Sequence, residues 1–284
     1  MTPGVNAVDI LKDAARVNQQ DPLLQGSLLV FPNYGQLVMT GDIHGNRKNF
    51  EKLQRFCDLD KYGARHVILH ELIHTELEGP GQRDTSYELL LDAARWKVDF
   101  PDQVHFLLSN HELAQLSRNE ISKNGRVVTQ AFEESVLQAY GAQGPAAVEA
   151  IGELIRSYAL AGRTANRVFI SHSLPNTRDL PAFDETVFSR TPNDTDLASE
   201  GSAHALVWGR HHTRQLLDTL REMLDVDYFL CGHQPQEMGY EVLHDRMIIL
   251  ASEHNHGVFL TLDLSKPVTL DSLVRNIRPF AAVT

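Results

Sequence analysis

Five short apolar segments of this chain each end in histidine, asparagine or a carboxylate, and this feature limits the possible folds more than any other. Each segment has four to six residues and is rich in Val, Ile, Leu or Phe, which is typical of buried strands. Strand ends in α/β proteins meet at one edge of the sheet, where ligands bind. The polar groups after the five segments are GDIHG (41–45), HELIH (70–74), NHE (110–112), His172 and GHQP (232–235).

Helical segments alternate with these strands and indicate the fold class. In the stretch 85–98, apolar residues recur three and four positions apart, as on one face of a helix. This alternation favours a layered α/β fold, and strands crowd near the C-terminus, so we predict mixed rather than purely parallel sheets. The predicted strands are 27–31, 36–40, 66–69, 104–109, 167–171, 227–231, 247–252 and 258–264; the predicted helices are about 47–57, 85–98, 112–121, 127–140, 146–158 and 212–224.

The length and the irregular stretches favour one domain. At about 150 residues per domain, a chain of 284 residues could form one large domain or two small ones. The irregular stretches 74–86 and 176–203 are typical of surface loops, and neither is a convincing boundary. We therefore predict a single domain over 1–284, with a motif-bearing core at about 36–264 and an N-terminal helix at 7–18.

Charge and hydropathy argue against several classes of protein. The chain has 26 Lys and Arg against 37 Asp and Glu, a net charge of −11, which disfavours binding of nucleic acid through bulk charge. It has no apolar run near the roughly 18 residues of a membrane span, and no secretion-signal pattern. Cys57 and Cys231 have no CxxC partner, so no disulfide framework is expected. We predict a cytoplasmic protein that binds neither nucleic acid nor membranes.

The polar groups at the strand ends are those of a metal site. Carboxylate and amide oxygens mixed with imidazoles suit Mn, Fe or Zn. Five or six such ligands with a carboxylate among them exceed what one ion needs, whereas two adjacent ions can share them and clamp a phosphoryl group. We therefore predict two divalent or trivalent metal ions and a phosphorylated substrate.

The order of the motifs resembles the calcineurin-like metallophosphoesterases, specifically their phosphoprotein phosphatase (serine/threonine phosphatase-like) branch. That family carries GDxHG, GDxxDRG, GNHE, a His after an apolar strand, and a later GH. The resemblance covers about residues 36–264 and implies the metallo-dependent phosphatase fold, an αββα sandwich of mixed sheets flanked by helices. The matching motifs are GDIHG (41–45), SNHE (109–112), SHS (171–173) and GHQP (232–235), with further similarity over 86–112 and in LVWG (206–209).

The resemblance also implies a role for each matched residue. A hydroxide bridging the two metals would attack phosphorus, and His111 would protonate the leaving alkoxide. Glu112 would orient His111 or brace its loop. The implied catalytic residues are His111, Glu112 and Asp42; the implied metal ligands are Asp42, His44 and His233 for the first ion and Asn110 and His172 for the second, with a bridging carboxylate from the second motif.

The second motif departs from the family pattern. His70 and Glu71 stand where the family has Gly and the metal-bridging Asp, and His74 and Thr75 stand where it has a second Asp and an Arg. Glu71 can supply the bridging carboxylate, although its extra methylene lengthens the reach. His70 or His74 could join the coordination sphere instead.

Two phosphate-binding arginines of the family are also missing from their usual places. Thr75 replaces one of them, and Leu108 replaces the Arg that precedes GNHE. A planar guanidinium matches phosphate oxygens bidentately, so the candidates to replace them are Arg210 and Arg83.

The function predicted from these residues is hydrolysis of phosphomonoesters by a dinuclear metal centre. The substrate would be phosphoserine or phosphothreonine in proteins, or a small phosphoester. One alternative is a nucleotide or dinucleoside polyphosphate hydrolase. Another is a catalytically weakened metal- or phosphopeptide-binding module, which Glu71 and the missing arginines favour and the intact His111 opposes.

Overall fold

A computed structural model describes residues 3–75, 82–123 and 126–283, and these residues form alternating helices and short strands. Residues 76–81 of the predicted irregular stretch 74–86 lie outside the described residues. The helices are α1 Pro3–Gln19, α2 Arg47–Cys57, α3 Ser86–Asp99, α4 Asn110–Ser117, α5 Val128–Tyr140, α6 Gly144–Arg156, α7 Asp194–Leu197, α8 Ser202–Trp208, α9 Arg214–Leu224 and α10 Leu270–Arg275. The strands are β1 Leu24–Gln25, β2 Leu28–Phe31, β3 Gln36–Thr40, β4 Arg65–His70, β5 Val104–Leu107, β6 Ser122–Lys123, β7 Arg126–Val127, β8 Ala161–Thr164, β9 Val168–Ser171, β10 Tyr228–Cys231, β11 Tyr240–Leu243, β12 Met247–Leu250, β13 Val258–Asp263 and β14 Ile277–Pro279.

Two mixed sheets form the centre of the fold. One has the strand order β1-β2-β8-β9-β10-β12-β11 and the other the order β14-β13-β3-β4-β5. Strands β6 and β7 pair in a separate two-stranded sheet. Strands β3, β4 and β5 are parallel to one another, as are β9, β10 and β12. Their carboxyl ends therefore converge, and an isolated bridge between Asp42 and Ala251 links the ends of β3 and β12. This convergence is what gathers the polar groups.

Alternating side chains of the strands build the layers. Leu37 and Met39 of β3 pack with Leu230 of the other sheet, between the two sheets. Val38, which points the opposite way, packs with Phe50 of α2. Because successive side chains of a strand face opposite sides, each sheet buries one face against its partner and the other against helices. The predicted α/β fold of two mixed sheets flanked by helices is confirmed.

The helix that follows β5 differs from its predicted bounds. It begins at Asn110 rather than at 112, and it ends at Ser117 rather than at 121. Ser109 is its N-cap, since its Oγ accepts a hydrogen bond from the amide of Glu112, as in an S-x-x-E capping sequence. The cap places Asn110, His111 and Glu112 in the first helical turn, directly at the edge of the sheet.

The structure also bears on the predicted loop 176–203, the N-terminal helix and the absence of a membrane span. The predicted loop 176–203 contains 3₁₀ turns and α7, because side chains such as Asn193 cap these short turns. Helix α1 covers the predicted segment 7–18. Among the described residues, no helix combines the length and the apolar character needed to cross a bilayer. The single domain over 1–284 and the cytoplasmic location stay predictions.

Candidate metal centre

The loops after β3 and β4 are joined by backbone hydrogen bonds. The amides of Ile43 and His44 both donate to the carbonyl oxygen of Glu71, at 3.0 and 2.8 Å, and the amide of Gly45 donates to Leu72 at 2.9 Å. The first and second motifs are therefore held as one unit, which presents His44 and Glu71 to the same space.

Several residues in the loops that surround the site have a left-handed backbone. The φ angles are 45° at His44, 49° at Glu71, 64° at His74 and 69° at His233. This conformation costs L-residues roughly 1–2 kcal/mol each. Strain of this kind concentrates at functional sites, where the surrounding structure holds side chains in required directions.

Glu71 lies between two groups of donor atoms. Its Oε1 is 3.3 Å from Nε2 of His44 and 3.3 Å from Nε2 of His111. Its Oε2 is 2.9 Å from Nε2 of His172. The carboxylate is buried, so its two oxygens face the two groups away from bulk water.

The second group gathers three side chains from distant parts of the chain. Nε2 of His172 is 2.7 Å from Oδ1 of Asn110 and 3.1 Å from Nδ1 of His233. Nδ1 of His233 is in turn 2.9 Å from Oδ1 of Asn110. All three are buried.

Asp42 lies beside this second group. Its Oδ1 accepts a hydrogen bond from the backbone amide of His233 at 2.9 Å and is 3.7 Å from Nδ1 of both His70 and His172. The resemblance groups His233 with Asp42 on one ion. In this structure the amide of His233 contacts Asp42, whereas its ring lies against Asn110.

The donor set fits a cation. Nδ1 of His44 is 3.0 Å from the carbonyl oxygen of Ile73, which only accepts, so the neutral ring carries its proton there and its lone pair at Nε2. That lone pair faces the Glu71 carboxylate. Acceptor atoms that face one another in a buried site repel unless a proton or a metal ion lies between them, and imidazole next to carboxylate and amide oxygen is a typical ligand set.

Burial favours the uncharged form of three of the site histidines. It lowers the pKa of His70 to about 4, and together with the neighbouring His233 and His70 rings it lowers the pKa of His172 well below its usual range. Burial and the positive charge of Arg210 lower the pKa of His233 to about 3. Neutral imidazoles are the form that binds metals.

Glu112 braces the loop rather than facing the cleft. One carboxylate oxygen accepts from the amide of Leu72 at 2.8 Å, and the other accepts from the hydroxyl of Ser109. Burial raises the pKa of this carboxyl. Of the two roles considered for Glu112, bracing therefore has contacts that support it.

The two histidines of the divergent motif each contact a site imidazole. Nδ1 of His70 is 3.0 Å from Nδ1 of His172, and Nδ1 of His74 is 2.8 Å from Nδ1 of His111. The side chain of Gln115 contacts Nε2 of His74 at 2.9 Å. Sequence reasoning missed Gln115, although it lies four positions after His111 on α4 and so shares its helix face.

A cleft of about 660 Å³ opens over these groups and includes Arg210 in its lining. Arg83, the other candidate for phosphate binding, instead lines a separate cleft with Gln130 and Glu134. Sequence reasoning did not identify Asn46 or Asn255 as lining residues. The cleft is lined by Asp42, His44, Gly45, Asn46, Glu71, Thr75, His111, Arg210, His233, Pro235, Glu253, His254 and Asn255.

Comparisons with known proteins agree with this architecture. The model of the calcineurin-like phosphoesterase family matches residues 36–237. A protein serine/threonine phosphatase from Saccharomyces cerevisiae has a similar structure, with a TM-score of 0.69 and 13% identity over 97% of this chain and 88% of that chain. A cold-active protein-tyrosine phosphatase of a Shewanella species has a TM-score of 0.58 and 15% identity over 93% and 84% of the two chains. No curated protein sequence matches this chain.

Proposed function

This chain belongs to the calcineurin-like phosphoesterase family and is a metal-dependent phosphoester hydrolase, and we propose that it hydrolyses phosphomonoesters at a centre of two metal ions. The observation that carries the proposal is the position of Glu71. Its Oε1 faces His44 and its Oε2 faces His172, so one carboxylate serves two groups of ligands. A carboxylate in this position can contact two adjacent metal ions, which two-metal centres hold about 3.5–4 Å apart.

The ligand groups follow from these contacts. Their imidazole, carboxylate and amide donors suit Mn, Fe or Zn. Metal ions bound here would lower the pKa of water, so that a nucleophile forms at neutral pH, and would offset the charge of the phosphoryl group. We assign His44 and Glu71 to the first ion, together with Asp42 as the resemblance implies. We assign Glu71, Asn110, His172 and His233, which contact one another, to the second ion.

Arg210 is the proposed phosphate-binding residue. It is exposed at the cleft, and its backbone amide donates to Oδ1 of Asn176 at 3.0 Å, which holds the turn after α8 in place. The charge of Arg210 acts on His233, which indicates that the guanidinium lies near the proposed ligands. A guanidinium in this position can bind two oxygens of a phosphate.

His111 is the proposed general acid. Its ring is buried, and its Nε2 faces Glu71 Oε1 at the floor of the cleft. When the ring is protonated at both nitrogens, the proton at Nε2 would pass to the leaving oxygen of the ester, while the proton at Nδ1 stays on the ring. The leaving alkoxide of an alkyl phosphomonoester, such as phosphoserine or phosphothreonine, needs this proton. A phosphorylated protein side chain is the substrate class that we propose.

Hydrolysis of p-nitrophenyl phosphate with added Mn²⁺ tests the proposal. We compare the wild-type protein with Asp42→Asn and with Asp60→Asn, which changes an exposed carboxylate. Turnover that requires metal, persists in Asp60→Asn and disappears in Asp42→Asn is the expected result. Bound metal without turnover would favour a phosphopeptide-binding module, and a folded wild-type protein that binds no metal would overturn the proposal.

A further inference from the structure

The ring of His70 is buried between a backbone carbonyl and a proposed metal ligand. His70 is the last residue of β4, and 1% of its surface is exposed. Its Nε2 is 2.8 Å from the carbonyl oxygen of Thr40, and its Nδ1 is 3.0 Å from Nδ1 of His172. The ring therefore connects the β3 backbone to a side chain of the other sheet.

These two contacts decide where the protons lie. A carbonyl oxygen only accepts, so the proton between Thr40 and His70 sits on Nε2 of His70. An uncharged His70 ring then has a lone pair at Nδ1. The hydrogen bond to His172 consequently uses the Nδ1 proton of His172, and the lone pair of His172 lies at Nε2.

We propose that His70 is a positioning residue, which holds His172 in the Nδ1-protonated tautomer so that its Nε2 is available to a metal ion. This inference rests on the proposed function, in which His172 is a metal ligand. Nε2 of His172 is the atom that faces Asn110 and Glu71, so the tautomer and the ligand group agree. Partners of this kind fix the ring orientation of ligating histidines and raise their basicity.

Gly232 provides the space for this arrangement. A Cβ at residue 232 would lie 2.5 Å from Cε1 of His70 and 2.4 Å from Oδ1 of Asp42. The backbone of Gly232 is also fixed, because its amide donates to the carbonyl oxygen of His172 at 3.0 Å. The ring of His70 thus occupies a position that any larger residue at 232 would close.

Nitrogen NMR of the histidine-labelled protein tests the inference directly, with and without Zn²⁺, which is diamagnetic. We expect a protonated Nδ1 at His172, an unprotonated Nδ1 at His70, and a zinc-induced shift at Nε2 of His172. A zinc-induced shift at Nδ1 of His70 would overturn the inference, because His70 would then be a ligand itself. No shift at either nitrogen of His172 would overturn the ligand assignment and the inference with it, whereas a shift at its Nδ1 would overturn the inference alone.

Two variants of His70 provide an independent test. His70→Gln keeps an amide N–H for Thr40 and an oxygen that can accept from His172, while His70→Phe keeps the ring volume and loses both groups. We expect His70→Phe to weaken metal binding by about 10- to 100-fold and His70→Gln to retain most of it. Metal titration of both variants gives their affinities. Melting temperatures that match the wild-type value show that each variant is folded. Equal metal affinity in the wild-type and His70→Phe proteins would overturn the inference.

Discussion

Nδ1 of His74 lies 2.8 Å from Nδ1 of His111. Nε2 of His74 is 2.9 Å from the side-chain oxygen of Gln115, which only accepts, so His74 carries its proton at Nε2. The proton between the two Nδ1 atoms therefore belongs to His111, whose Nε2 faces Glu71. An imidazole thus stands where the resembled phosphatases have an aspartate, and it orients the proposed general acid.

Removal of the His74 ring should impair leaving-group protonation. We expect His74→Leu to lower kcat for phenyl phosphate by about 10- to 100-fold, and His111→Ala to lower it by about 10²- to 10⁴-fold. Both losses should be smaller for p-nitrophenyl phosphate, whose leaving group needs less protonation. The control is His244→Asn on an exposed turn. Equal losses on the two esters would count against His111 as the acid.

Removal of the Arg210 guanidinium should weaken substrate binding. Charged hydrogen bonds contribute about 1.5–3 kcal/mol each, so we expect Arg210→Ala to raise KM for a phosphomonoester about tenfold or more. Arg83→Ala is the matched variant, because that residue lines a different cleft. Steady-state kinetics of both variants decide the question. An unchanged KM in Arg210→Ala would exclude Arg210 as the phosphate-binding residue.

Neutralisation of Glu71 should affect both ions, because its two oxygens face different ligand groups. We expect Glu71→Gln to lower metal affinity and turnover by about 10- to 100-fold or more, while Glu237→Gln on the surface leaves both unchanged. Metal analysis after gel filtration measures the metal that each chain retains. Two retained ions in Glu71→Gln would contradict the bridging role.

Substitution of Lys97 should destabilise the fold, because it breaks a buried ion pair that lies away from the cleft. Nζ of Lys97 lies 2.7 Å from Asp21 and 2.6 Å from the carbonyl oxygen of Pro101, with both charged side chains buried. Lys97→Met leaves the Asp21 carboxylate without this partner and should lower the free energy of unfolding by about 3 kcal/mol. Lys266→Met, which breaks an exposed pair, should have little effect. Urea unfolding of the two variants gives the comparison.

Acid should destabilise the fold through His66. Burial, with the adjacent His105, lowers the pKa of His66 from 6.5 to about 4; Asp21 favours its protonation and Lys97 opposes it. Between pH 6.5 and 4 the unfolded chain binds more protons at His66 than the folded chain does. The free energy of unfolding is therefore highest above pH 6.5 with respect to this group, and it decreases as the pH falls towards 4. Urea unfolding across this range should show a steeper pH dependence in the wild-type protein than in His66→Leu. Identical slopes would refute the prediction.

The sequence alone determined the fold class and predicted most of the residues that the structure brings together at the candidate site. Strands β3, β4 and β10 lie where apolar segments predict them, and α2 has the predicted bounds, 47–57. Hydrophobic periodicity and the residues at strand ends are local signals, so they can be interpreted without knowledge of the tertiary contacts. The predicted start of α4 is wrong by two residues, because the Ser109 cap begins the helix at Asn110.

Only the tertiary structure decided which atoms meet. His70 and His172 are 102 positions apart, and nothing near either residue indicates that their Nδ1 atoms make contact. The sequence likewise does not indicate that the two oxygens of Glu71 face different ligand groups. Nor does it indicate that Arg210 lines the cleft over the site whereas Arg83 lines another cleft. A local pattern specifies the face on which a side chain lies. The tautomer of an imidazole and the direction of a carboxylate depend on neighbours that arrive only when the two sheets pack together.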